Sequence, residues 1–238
     1  MHQNIPDLSQ SRSHTQNVTV PWWVIGVLMA VFVILGLATT GANTLAIDLD
    51  VSERIQSFDG RFAQFLGWIG DELGETRTAL TCLAIGFIAA ALLRSLRDAV
   101  FLGIAAILRV LASVFLKGLY SSPRPTADQV EQARVFENLG YPSGHATTAA
   151  LLMGTLVYFI ARRTHSSSVR TSLVVLWLVG VSATAFARAW HGAHWFTDTV
   201  GGTIVGLIIV LVAANLSATI MGLRSSGQRT ARSQRQAP

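Results

Sequence analysis

Apolar residues in this chain gather into long runs broken by short polar stretches. Six runs stand out, at 22–41, 78–93, 99–119, 144–161, 171–187 and 199–223. A hydrocarbon core about 30 Å thick is crossed by about 20 apolar residues as helix. No strand-like alternation of a membrane barrel is visible. The pattern predicts an all-α, polytopic membrane protein, a bundle of six transmembrane helices. The second run is short for a span, and Arg77 and Arg94 at its ends can snorkel to the two interfaces. The first run can also be read as a cleaved signal peptide, since small residues follow it at Thr39–Ala42. Its length, and the single Arg12 ahead of it, favour an uncleaved anchor.

The stretches between runs set the organisation. Residues 1–20 read as a cytoplasmic tail, 21–223 as the membrane domain, and 224–238 as a disordered, Arg-rich cytoplasmic tail. Within the domain, segment 43–77 carries Val51, Ile55, Phe58, Phe62, Leu66, Ile69 and Leu73 at steps of three and four, the stripe of an amphipathic helix. It reads either as a helix capping the bundle or as an interfacial helix near a lipid entry point. Arg94 and Arg97, then Arg162, Arg163 and Arg170, then Arg224, Arg229, Arg232 and Arg235 fall on alternate segments, whereas the outer cations lie among acids. The positive-inside rule then puts both termini in the cytoplasm.

Composition agrees and narrows the class. The chain is 51% hydrophobic and 13% charged, with mean hydropathy +0.47, against about 25% charged for an ordinary soluble domain. A single cysteine, Cys82, excludes an intramolecular disulfide framework and a cysteine zinc site. The net charge of +5 is not a nucleic-acid footprint, because the arginines sit at run ends and in the tail. Of the 18 basic residues only Lys117 is lysine.

The topology gathers three clusters at the outer face. Lys117 and Arg124 end the third run; Ser143, Gly144 and His145 open the fourth; Arg188, His191, His194 and Asp198 bridge the fifth and sixth. Three cations are too many for one carboxylate but suit a phosphate. Ser143 is a natural N-cap, Gly144 permits close approach, and the free N–H groups there form an anion site. Asp198, four residues after His194, can fix its tautomer, leaving the other ring nitrogen able to attack phosphorus. His145 can protonate the leaving oxygen. The cations would stabilise the equatorial oxygens, so this chemistry needs no metal or other cofactor.

Lys-x6-Arg-Pro, then Pro-Ser-Gly-His, then Arg-x5-His-x3-Asp resembles the type 2 phosphatidic acid phosphatase family, relatives of soluble acid phosphatases and vanadium haloperoxidases. The match spans about 117–206. The resemblance implies phosphate binding by Lys117, Arg124, Ser143, Gly144 and Arg188. It implies His194 as nucleophile, Asp198 as its orienting partner and His145 as acid. Many members have Ser where this chain has Ala187. The implied protein is a metal-independent lipid phosphatase of the bacterial inner membrane, its site facing the periplasm or exterior. Its partners are the bilayer and a membrane lipid phosphate: undecaprenyl pyrophosphate, phosphatidate or phosphatidylglycerophosphate. No nucleic acid is expected, and the oligomeric state stays open.

Three alternatives remain at this point. A phosphotransferase would use the same residues with a lipid acceptor in place of water. An anion transporter would use the cations for binding, although no inverted repeat is visible. His191, His194 and Asp198, at i, i+3 and i+7, could ligate a metal from one helical face. Arg109, near the middle of the third run, is costly there. It faces a polar cavity, bonds backbone carbonyls, or marks a misplaced span.

Overall fold

The computed structural model describes residues 18–41, 44–136 and 139–236. Most of the N-terminal tail, Arg12 included, lies outside the described residues. Those described form eight α-helices and no strand. They are α1 (Trp22–Ala38), α2 (Ala46–Gln56), α3 (Arg61–Gly74), α4 (Thr76–Leu92), α5 (Leu96–Phe115), α6 (Gly144–Ala161), α7 (Ser167–Trp190) and α8 (Phe196–Gln236). Each of the six apolar runs lies largely within one of these helices. Four of the helices, α5, α6, α7 and α8 over Phe196–Arg224, are long and apolar enough to cross a membrane. A fifth span arises if α3 and α4, bent by 50° at Glu75, are taken together, while the apolar α1 has only 17 residues.

Two expectations are corrected. Segment 43–77 is not one amphipathic helix. It breaks at Gly60, whose φ of +96° leaves the helical region at a position where only glycine does so cheaply. The apolar stripe does not supply the buried face of α3 either. Of its residues on α3, Phe62 is exposed and Leu66, Ile69 and Leu73 are half-buried, whereas Ala63, Gly67, Gly70 and Gly74 are buried. Small residues let the α3 backbone lie directly on α7: a Cβ on Gly70 would stand 2.3 Å from the Ala183 carbonyl oxygen. The tail from residue 224 continues α8 as helix to Gln236 and is not an irregular coil. Its Arg, Gln and Ala are good helix formers, and no proline intervenes before Pro238.

Helix α8 occupies the centre, packed on α6, α5 and α1. Its contact with α6 is close because Gly202 and Gly206 face the Ser143 and Thr147 carbonyls; a Cβ there would stand 2.3 and 2.5 Å from those oxygens. Helix α1 is tied at two levels. Val20 exchanges two hydrogen bonds with the Asn215 amide (3.1 and 2.9 Å). Further along, the buried Tyr141 hydroxyl donates to the Phe32 carbonyl at 2.6 Å, its ring stacked on Phe32. At one end of the bundle Asp98, opening α5, pairs with Arg162 and Arg163 at the end of α6 (2.5 and 2.8 Å). The opposite ends of α5, α6, α7 and α8 carry the three clusters singled out above.

Candidate active site

The connection between α7 and α8 is short and tightly bonded. Helix α7 ends at Trp190, and Gly192 (φ +61°) turns the chain. Both Ala193 and His194 donate their N–H groups to the Arg188 carbonyl, at 2.9 and 3.2 Å. Asp198, fully buried in the first turn of α8, accepts from His194 Nδ1 at 3.1 Å and from the Trp195 N–H at 3.2 Å. With its proton directed to the carboxylate from Nδ1, the imidazole keeps the Nε2 lone pair for chemistry.

The chain between α5 and α6 wraps over this connection. Arg124 Nη1 donates to the Ala193 carbonyl at 2.5 Å, and Trp195 Nε1 donates to the Pro123 carbonyl at 3.2 Å. Gly140 is tight against the carboxylate: a Cβ there would lie 2.6 Å from Asp198 Oδ2. Lys117 Nζ donates to the Leu139 carbonyl at 2.9 Å. Ser143 does what an N-cap does, accepting from the Ala146 N–H at 3.4 Å, and its own N–H donates to the Asp198 carbonyl at 2.9 Å. The start of α6 is thereby fastened to the start of α8.

Electrostatics tie the clusters together. Burial pushes the His194 imidazole well below its usual pKa, and the charges of Arg124, Lys117, Arg188 and His145 push it further down. It is therefore neutral at physiological pH, the form with a free lone pair. Burial also lowers Lys117 to about 8, helped by Arg124 and opposed by Asp198. Arg124 is shifted down chiefly by burial.

Two clefts flank the start of α6. A polar one of 280 Å³ is lined by His145, Arg188, His191, Arg134, Asp71 and Glu75, among others. A second, of 200 Å³, is lined by Lys117, Gly144, Arg109 and apolar residues of α5. The predicted site residues thus lie together, with Ser143, His194 and Asp198 buried and lining neither cleft. His191 is not on the face of His194 and Asp198. The Gly192 turn separates them, and His191 Nδ1 lies 3.4 Å from Asp71 Oδ2. That removes the single helical face on which the metal alternative rested. Among the described residues no group of three His, Cys, Asp or Glu side chains is placed to hold a metal ion.

Three residues near the site escaped the sequence reading. Asp71 on α3 is ion-paired with Arg188. The buried Asp48 on α2 accepts from the Thr197 N–H (2.9 Å) and hydroxyl (2.8 Å), capping α8 from a distant helix. Arg134 lines the polar cleft, its guanidinium 5.1 Å from the Phe136 ring centre, as is that of Arg124. Each was one charge among many in a polar connection, with no spacing to mark it.

The sequence model of the PAP2 superfamily matches residues 98–221, and the chain belongs to that superfamily. Phosphatidylglycerophosphatase B of Bacillus subtilis (strain 168) is 27% identical over 89 residues, 37% of this chain and 43% of that protein. The match thus spans less than half of that relative. A crystal structure described as the first transmembrane PAP2 type phosphatidylglycerolphosphate phosphatase from Bacillus subtilis superposes with a TM-score of 0.69. At 20% identity it covers 82% of this chain and 96% of that one, a likeness of fold.

Proposed function

We propose that this protein is an integral membrane phosphatase that hydrolyses a phosphate monoester or pyrophosphate of a membrane lipid through a phosphohistidine, without a metal. The observation that carries this reading is His194: neutral, oriented by Asp198, and under the influence of Arg124, Lys117 and Arg188 together. Superfamily membership agrees with it.

In the first step His194 Nε2 attacks phosphorus in line with the departing oxygen. Lys117, Arg124, Arg188 and the N–H groups around Ser143 and Gly144 hold the equatorial oxygens, on which charge gathers. Arg188 gives up Asp71 for the phosphate. His145 protonates the leaving group, and then, as base, activates the water that releases inorganic phosphate from His194. The substrate classes are phosphatidate, phosphatidylglycerophosphate and undecaprenyl pyrophosphate. The topology is six spans formed by α1, α4, α5, α6, α7 and α8, with both termini cytoplasmic, and the site opens on the outer face of the inner membrane.

A panel of lipid monophosphates and pyrophosphates, assayed with and without EDTA, tests this. The expected result is phosphate release that EDTA leaves unchanged and vanadate inhibits. His194→Ala, His145→Ala and Arg188→Ala should each lower kcat by about 10²-fold or more while the protein still inserts. Near wild-type phosphate release by purified His194→Ala discards the mechanism. Loss of activity in EDTA, restored by a divalent ion, discards metal independence.

A further inference from the structure

Arg109 is a buried charge near the site that the proposed chemistry leaves without a task. It stands on α5 six residues before Phe115, about 9 Å inside that end of the helix at 1.5 Å per residue. Its residue is only 4% exposed. Nε and Nη2 donate to the Thr148 hydroxyl (3.1 and 2.9 Å), and Nη2 also to the Thr76 hydroxyl (2.9 Å) and the Gly144 carbonyl (3.4 Å). All of these acceptors are neutral. Among the described residues no carboxylate pairs with Arg109, and Nη1 makes no hydrogen bond. A buried cation without a counter-charge is costly in a protein and more so at membrane depth. Fixing α4 to α6 does not require a charge, since the Thr76 and Thr148 hydroxyls already meet at 3.3 Å.

The side chain lines the 200 Å³ cleft together with Lys117, Gly144 and Ser113. The rest of the wall is largely apolar, including Ala112, Leu116 and Val205. Next to it the outward face of α5, with Leu111, Val114 and Phe115, is exposed. One end of the cleft therefore suits an anion and the other a hydrocarbon chain. Gly144 and Lys117 border it, so it adjoins the place where the transferred phosphate would sit.

We infer that Arg109 forms a second anion subsite, in the cleft that Lys117 borders, for the non-transferred phosphate of a two-phosphate lipid, which makes Arg109 a specificity residue. This rests on the phosphatase reading above and names its substrate: a lipid whose hydrocarbon chain is esterified to one phosphate, which leaves with the chain, while a second phosphate is transferred to His194. A planar guanidinium suits a phosphate that keeps one or two unesterified oxygens. A lipid with a single phosphate leaves Arg109 uncompensated when bound. An anionic bilayer lipid resident in the cleft would offer the same chemistry, and the test separates the two.

The experiment compares farnesyl diphosphate with farnesyl monophosphate, which share one chain, in phosphatidylcholine vesicles with and without phosphatidylglycerol. Wild-type protein should favour the diphosphate in kcat/KM. In Arg109→Gln that preference should fall about tenfold or more, the loss of one charge-assisted contact. Ser113→Glu, a change at an exposed position of α5, sets a carboxylate beside Arg109 and should lower the preference likewise. It decides the matter if Arg109→Gln does not fold. A preference unchanged in both variants, or equal loss on both substrates, overturns the subsite. A preference that stays constant while only the response to phosphatidylglycerol disappears overturns it in favour of a resident lipid. Wild-type protein that releases phosphate from neither substrate removes the phosphatase reading, and the subsite with it.

Discussion

Lys117 holds its ammonium where burial and Arg124 both work against the charge, and its pKa falls to about 8. The charged form binds phosphate, so the consequence has a definite sign. Below about pH 8 the free protein carries the cation; as pH rises through that value the cation and its share of phosphate binding are lost. The expected result is an alkaline limb near pH 8 in kcat/KM. Lys117→Arg, whose guanidinium stays charged, should move that limb upward, and a profile identical in both proteins contradicts the assignment. At this scale the site was legible wherever its residues share a short stretch of chain. Ser143, Gly144 and His145 are consecutive, and Arg188, His194 and Asp198 fall within eleven residues. Asp71 and Asp48 were not legible, because their partners lie 117 and 149 residues away and an isolated acid in a polar connection carries no period.

Among the elements, α3 shows how a correct period can point to the wrong face. Its large apolar residues recur at helical spacing, and so do Gly67, Gly70 and Gly74. In water the large residues would take the buried side. Beside a bilayer Phe62, Phe65 and Trp68 lose nothing by facing outward, and close backbone contact becomes the stronger organising interaction. The glycines bring α3 against α7 and the start of α6, where a Cβ on Gly74 would stand 2.7 Å from His145 Cβ. Asp71 on the same helix then reaches Arg188. Gly70→Val should therefore lower the unfolding midpoint in detergent and cost about 1–3 kcal/mol, as overpacking does, with kcat reduced because His145 and Arg188 lose their support. Gly26→Val on α1, where nothing lies within 4 Å, is the control and should leave both unchanged. Equal behaviour of the two variants would show that α3 is not seated as described.

Across the whole molecule, opposite ends of the same helices carry opposite kinds of polar structure. At one end Asp98 draws Arg162 and Arg163 into a compact cluster, with Arg94 and Arg97 nearby in the chain. At the other stand Lys117, Arg124, Arg134 and Arg188 with His145 and His194. The gross plan of apolar helices was legible because run length alone reports membrane thickness. The polar stretch 71–78 marked the boundary between α3 and α4, but the 50° angle at Glu75 was not legible, because polarity reports a break and not its angle. On the topology proposed above, the positive-inside rule would put the Asp98 end in the cytoplasm and the site on the outer face. In a Cys82→Ser background, Arg134→Cys should react with a membrane-impermeant maleimide in intact cells. Ser166→Cys, capping α7 at the Asp98 end, should react only after the membrane is opened. The reverse pattern would place the site in the cytoplasm and require its lipid phosphate to be presented from the inner leaflet, since an anionic headgroup crosses the hydrocarbon core too slowly to be shared between the two faces.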